Sequence, residues 1–355
     1  MTNVAVSENR ETTGPAGLLD PLTAGWLGLW GLLALVAAGT GTGYPFGADD
    51  PQLDSTLLRL LPVEAGPPFF AAMLLTAAAL VLVSRRTTPT GPLRVLLLGY
   101  GWAVAFVLAV VVPGVQVLAL LGYAPMLLIG APFGWPPVDY ADVFTWPLAA
   151  RVAAMCGGVL LSGVLLGWQR RTAGSCVGCG RAGTDRGWTT PAAAARWGRW
   201  AVGVAALIPV GYALTRFAWL AGIPLGVSRD GLADLWESGA VWAGAGLGAF
   251  ATVGSVLTLG LVQRWGERFP RWMVGLAGRR VPVRLAVIPA TAVAVLATAA
   301  GLNALSLPEF WEPGRGLSAA GLPLMFFPLW GLALGAATYA YHLRRRGVCG
   351  RCNLG

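Results

Sequence analysis

The stretch VAAMCGGVLLSGVLLGWQRRTAGSCVGCGR, residues 152–181, runs from apolar residues through Arg170-Arg171 into a Cys-x-x-Cys pair, Cys176 and Cys179. Residues 332–353, LALGAATYAYHLRRRGVCGRCN, repeat the plan: an apolar run, then Arg344-Arg345-Arg346, then Cys349 and Cys352. The same sentence is therefore written once in each half of the chain. Both cysteine pairs, like Glu64 and Glu237, repeat at a separation of 173 residues, while Arg94 and Arg284 lie 190 apart and Pro132 and Pro323 lie 191 apart. Similar but unequal offsets describe a duplication with insertions and deletions in its loops.

The apolar runs set the solvent. The chain is 56% apolar and only 12% charged, with a mean hydropathy of +0.65, whereas a soluble domain carries about 25% charged residues. Segments with few or no charges cover 21–47, 65–84, 95–138, 152–169, 201–215, 238–263, 285–308 and 316–343, and a helix needs roughly 20 apolar residues to cross a bilayer. The expected fold is an all-α integral membrane protein of about eight transmembrane helices, arranged as two pseudo-symmetric four-helix halves in parallel orientation. Residues 1–20 read as a disordered tail, 21–181 as the first repeat, 182–199 as a linker ending in a short interfacial helix, and 200–355 as the second repeat. Residues 95–138 are long enough for two crossings. Two would place Arg170, Arg171, Arg181 and Arg186 on the opposite side, so one helix is expected, broken at Pro113-Gly114, followed by an outer or re-entrant apolar segment.

All 25 basic residues are arginine. With a cytosolic N-terminus, 20 of them fall inside and Arg59, Arg151, Arg216, Arg229 and Arg315 outside, which the positive-inside rule favours. Both termini are then cytosolic, in a cell membrane. The net charge of +9 is parked at segment ends rather than on one face, which excludes nucleic acid as the expected partner and leaves the bilayer; oligomeric state is not specified. The string Gly-x-Pro-x-Gly at 43–47, 130–134 and 222–226, with a partial copy at 321–324, should end helices at the outer surface, because proline removes a donor and glycine admits positive φ.

Cys176, Cys179, Cys349 and Cys352 resemble zinc knuckles, in which two thiolates two residues apart grip one metal and the following Gly180 or Asn353 turns the chain. Four sulfurs would complete a structural zinc site if the ends of the fourth and eighth spans converge, and the neighbouring arginines should lower the thiol pKa values. A thiol redox pair is the competing use. Cys156 is expected to be a buried apolar residue, and Asp49, Asp50 and Asp54 a solvated loop cluster. Arg151 and Arg216 lie inside the outer ends of their spans: they either snorkel to headgroups or pair with Glu64, Glu237 or Asp234 to frame an outward pocket for a small anionic or lipid ligand. Trp26, Trp30, Trp102, Trp146, Trp168, Trp219, Trp236 and Trp330 read as interface anchors. No catalytic motif stands out, so the expectation is a non-enzymatic, transporter-like or scaffolding membrane protein with a cytosolic zinc clasp. The alternatives are a membrane enzyme acting on a lipid or isoprenoid, and a cytosolic-face thiol redox protein.

Overall fold

The computed structural model describes residues 15–42, 44, 50, 53–134, 139–183, 187–311 and 322–354. Helix makes up 77% and no strand occurs among the described residues. The principal helices are α1 (Pro15–Thr40), α2 (Gly66–Ser84), α3 (Gly91–Phe106), α4 (Gly114–Gly130), α5 (Trp146–Thr172), α6 (Pro191–Leu220), α7 (Arg229–Glu237), α8 (Ala240–Gly260), α9 (Val283–Ser306) and α10 (Phe327–Arg345).

Eight helical segments among the described residues are long and apolar enough to cross a membrane: Leu18–Thr40, Val63–Ser84, Gly91–Val111, Gly114–Phe133, Trp146–Thr172, Pro191–Leu220, Ala240–Gly260 and Val283–Ser306. Their outer faces carry Leu32, Val36, Leu82, Leu96, Leu207, Val253, Val256 and Ile288, all exposed. Such continuous apolar exteriors need lipid rather than water around them. The chain is a polytopic membrane protein.

This set of eight is not the one the charge pattern suggests. It includes α4, and it omits α10, whose last turns hold Tyr341, His342, Arg344 and Arg345. Counting between charges also shortens helices. α5 starts at Trp146 and carries Arg151 inside it, and α6 runs unbroken from Pro191 past Arg196, Arg199 and Arg216 to Leu220. The interfacial helix expected in the linker is simply the first turns of α6.

In residues 95–138 the break falls at Pro113-Gly114 as expected, and the segment after it is a helix, α4, long and apolar enough to cross a membrane. After a π-helical turn at Val107–Val111, the chain breaks at Gly114, whose φ of 65° ends one helix and starts the next. α3 and α5 run antiparallel, since Arg94 donates to Thr172 at 2.8 Å at one end while Gly158 meets Ala105 and Ala109 nearer the other. The chain thus leaves α3 and enters α5 at the same end of the bundle. Between them α4 packs on α8 and α9, with Gly122 against Leu247 of α8 and Val117 clustered with Leu148 and Leu296.

The helix contacts fall into two sets. α1 lies on α2 and α5, and α3 lies on α5; α6 lies on α8 and α10, and α9 lies on α10. In lipid the gain comes from close van der Waals approach, so small residues mark the contacts. A Cβ on Gly158 would sit 2.8 Å from the Ala109 nitrogen, Gly331 lies directly on α9 at Ala294 and Thr298, and Gly301 lies on Pro328. Ala109, Val110 and Ala299 form a small buried cluster where the π-helical turn after α3 touches α9. The second and third Gly-x-Pro-x-Gly strings do end helices, with positive φ at Gly134, Gly222 and Gly226. Only Tyr44 of the first string, and Leu322 to Leu324 of the partial fourth, are among the described residues; Asp49 and Arg315 lie outside them.

Candidate metal centre

The two cysteine loops close on the same pair of backbone hydrogen bonds. Cys176 donates its N–H to the Arg181 carbonyl at 2.9 Å, and Cys349 donates to the Leu354 carbonyl at 2.9 Å. Gly180 donates back to the Cys176 carbonyl at 2.7 Å, and Asn353 to the Cys349 carbonyl at 2.8 Å. Closing that loop requires a left-handed residue just after the second cysteine. Gly180 supplies it with φ 75°, and Asn353 with φ 53°, the one positive-φ residue other than glycine among the described residues. Glycine has no Cβ to clash there and asparagine is among the few side chains that tolerate it.

The loops face each other. Cys176 Sγ lies 3.9 Å from Cys349 Sγ, and Cys179 Sγ lies 3.5 Å from Cys352 Sγ. All four sulfurs fall within 4.8 Å of one another, and none is disulfide-bonded. Sulfurs about 2.3 Å from a tetrahedral zinc stand about 3.8 Å apart, so the two facing distances bracket that spacing. These four thiols could hold a metal ion. The first loop is also tied to the second without any sulfur: buried Arg181 donates to the carbonyls of Leu354 at 2.6 Å and Gly347 at 3.3 Å. Arg170 closes its own loop on Val177 O at 2.9 Å.

The thiols are tuned by backbone N–H groups rather than by the arginine runs. The Cys176 thiol is pulled down, first by the N–H of Cys179. Cys349 is pulled down to about 6, first by the N–H of Arg351 and then by that of Cys352. At Cys352 the backbone at Leu354 pulls down, but desolvation and the three neighbouring sulfurs outweigh it and push the thiol up to about 12. Four sulfurs this close cannot all be thiolates without a cation among them.

The residues expected to frame an outward pocket are not gathered. Arg151 is fully buried rather than snorkelling; it is ion-paired with Asp50, itself buried, and donates to Gln116. Asp50 is therefore no solvated loop carboxylate, because a buried guanidinium holds it inside. Arg216 stacks on Tyr212 at 4.5 Å and Trp219 at 4.1 Å. Glu64, Asp234 and Glu237 are exposed and make no ion pair among the described residues. Cys156 is exposed on the lipid-facing side of α5 instead of buried. Of the expected anchors, Trp168 is fully buried and donates to Thr87 O at 3.1 Å, and Trp219 is buried and donates to Leu225 O at 2.9 Å. No protein-family model, curated protein or solved structure matches this chain.

Proposed function

We propose that this chain is a non-enzymatic polytopic membrane protein, a scaffold or transporter-like bundle, whose two four-helix repeats are fastened by a structural zinc clasp on the cytosolic face. The observation that carries this reading is that equivalent residues meet. Cys176 faces Cys349 and Cys179 faces Cys352, each pair separated by 173 residues, and Arg181 reaches Leu354 over the same separation. Ala109 and Ala299, which cluster in mid-bundle, share the separation of Arg94 and Arg284. Residues related by a twofold axis touch their own equivalents only at that axis, so these contacts support a pseudo-twofold along the membrane normal with α4 as an insertion. Counting α10 as a crossing and α4 as an outer re-entrant helix leaves four crossings per half, both termini cytosolic, and the arginine bias satisfied.

Metal analysis of the purified chain tests the clasp. One zinc per chain, absent from Cys349→Ser, supports it. Metal-free protein that forms a reversible disulfide between the two loops rejects it in favour of thiol redox chemistry.

A second reading keeps an outer-face ligand. Arg216 is half-buried between two aromatic rings with no carboxylate partner among the described residues, which suits a small anion or lipid headgroup there. Thermal shifts with such ligands that vanish in Arg216→Ala would support it; shifts equal in both proteins would end it.

A further inference from the structure

Between α8 and α9 the chain makes a hairpin that the clasp does not explain. Arg268 and Arg280 form an isolated antiparallel bridge. Phe269 N–H donates to Arg279 O, Gly278 N–H to Phe269 O and Val281 N–H to Glu267 O, each at 3.0 Å. Its root is held by the last turns of α10: Tyr341 donates to Gly266 O at 2.7 Å, and Arg345 to Glu267 O at 3.1 Å and Val281 O at 2.9 Å. α10 then continues directly to Cys349, so the hairpin emerges on the same face as the sulfur cluster.

At the tip Trp272 is 78% and Val274 97% exposed, with Leu276 at 39%. Arg264, Arg268, Arg271, Arg279, Arg280 and Arg284 flank the tip, all exposed and none in an ion pair among the described residues. The single carboxylate of the segment, Glu267, is engaged by Arg344 at 3.3 Å. The neighbouring helix ends present Leu257, Leu285 and Ile288 outward, so the hairpin adjoins apolar surface of the kind lipid covers. Guanidinium groups in such numbers match phosphate, which they bind in a forked geometry. A tryptophan among them belongs at headgroup level with its ring toward the acyl chains.

We propose that the hairpin 264–284 is a binding site for anionic phospholipid headgroups of the leaflet next to the sulfur cluster, with Arg271, Arg279 and Arg280 on the phosphates and Trp272 in the interface. The site rests on the chain lying in a bilayer and not on the metal, so loss of zinc in Cys349→Ser leaves it intact.

Native mass spectrometry of the full chain, titrated in neutral detergent with dioleoyl phosphatidylglycerol or dioleoyl phosphatidylcholine, tests it. The wild type is expected to bind the anionic lipid about tenfold or more tighter than the zwitterionic one, and Arg271→Gln/Arg279→Gln/Arg280→Gln to lose that preference. The same three positions changed to lysine should keep most of it. Trp272→Ala should weaken both lipids, since it removes the shared interfacial anchor. In the unmodified protein, raising salt from about 0.05 M to about 0.5 M should erase the preference by screening. The proposal is overturned if the glutamine variant binds phosphatidylglycerol as the wild type does, if the preference survives high salt, or if glycerol 1-phosphate competes as well as the lipid.

Discussion

Deleting one charge from the Asp50–Arg151 pair should be among the most destabilising single changes open to this chain. Arg151 is wholly buried and the Asp50 side chain is 1% exposed, so solvent screening gives no relief to whichever charge is left. The guanidinium already has one unpartnered nitrogen, Nε, and Gln116 beside it has its own unpartnered Nε2; both are donors, so neither can replace the acceptor that Asp50 supplies. Asp50→Asn keeps the shape, removes the charge and strands the guanidinium, at a cost of about 3–5 kcal/mol. Arg151→Met takes away the buried guanidinium that Asp50 pairs with and should also destabilise the chain. Replacing both together, Asp50→Leu with Arg151→Met, removes the desolvation cost along with the attraction and should lie between neutral and about 4 kcal/mol more stable than the wild type. Unfolding in mixed micelles of increasing dodecyl sulfate content, followed by tryptophan fluorescence, measures all four proteins. The reasoning fails if Asp50→Asn unfolds within about 1 kcal/mol of the wild type, or if the double variant is no better than the worse single one.

Other consequences are as direct. A chelator should lower the melting temperature of the wild type but not of Cys179→Ser, while Cys156→Ser should respond as the wild type does, because Cys156 sits on the lipid face of α5 far along the helix from the loops; equal responses in all three would remove the metal. Asn353→Gly should preserve metal content, and Asn353→Val should cost about 1–2 kcal/mol through its left-handed backbone, read as weaker zinc retention in a chelator competition. Gly158→Val should separate α3 from α5, since an added Cβ meets the Ala109 backbone nitrogen at 2.8 Å; a melting temperature unchanged by that substitution would show that the contact is looser than described. Arg181→Gln removes donors to Gly347 O and Leu354 O, and is expected to speed zinc loss without abolishing binding.

How much of this was written in the sequence differs from place to place. The cysteine cluster was legible because the same residue types repeat after an apolar run in both places, and Gly180 and Asn353 announce the turn each loop needs. Arg151 and Asp50 were not, since the same two residues read as a snorkelling cation and a solvated loop carboxylate until a tertiary contact joins them. Charge counting failed at α5 and α6 for a related reason: an arginine that is paired, or stacked on rings as Arg216 is, no longer marks the end of a helix. Composition left residues 114–133 open because an apolar re-entrant helix and an apolar crossing have the same composition; the break at Pro113-Gly114 was legible, and the contacts of α4 with α5, α8 and α9 were not. The pKa pattern at the thiols was misjudged because backbone N–H groups, rather than arginine charges, pull Cys176 and Cys349 down, while burial and the neighbouring sulfurs push Cys352 up.

The last turn of α10 and the ten or so residues behind it carry an unusual share of the molecule's fastening. Arg344 and Arg345 grip the stem of the 264–284 hairpin, Gly347 and Leu354 receive Arg181, and Cys349 and Cys352 complete the sulfur set. A chain severed behind Leu343 would keep every membrane-length helix and yet release three separate moorings at a stroke, so its first symptom should be the drifting apart of the ends of α5 and α10 while the helices within the bilayer stay folded.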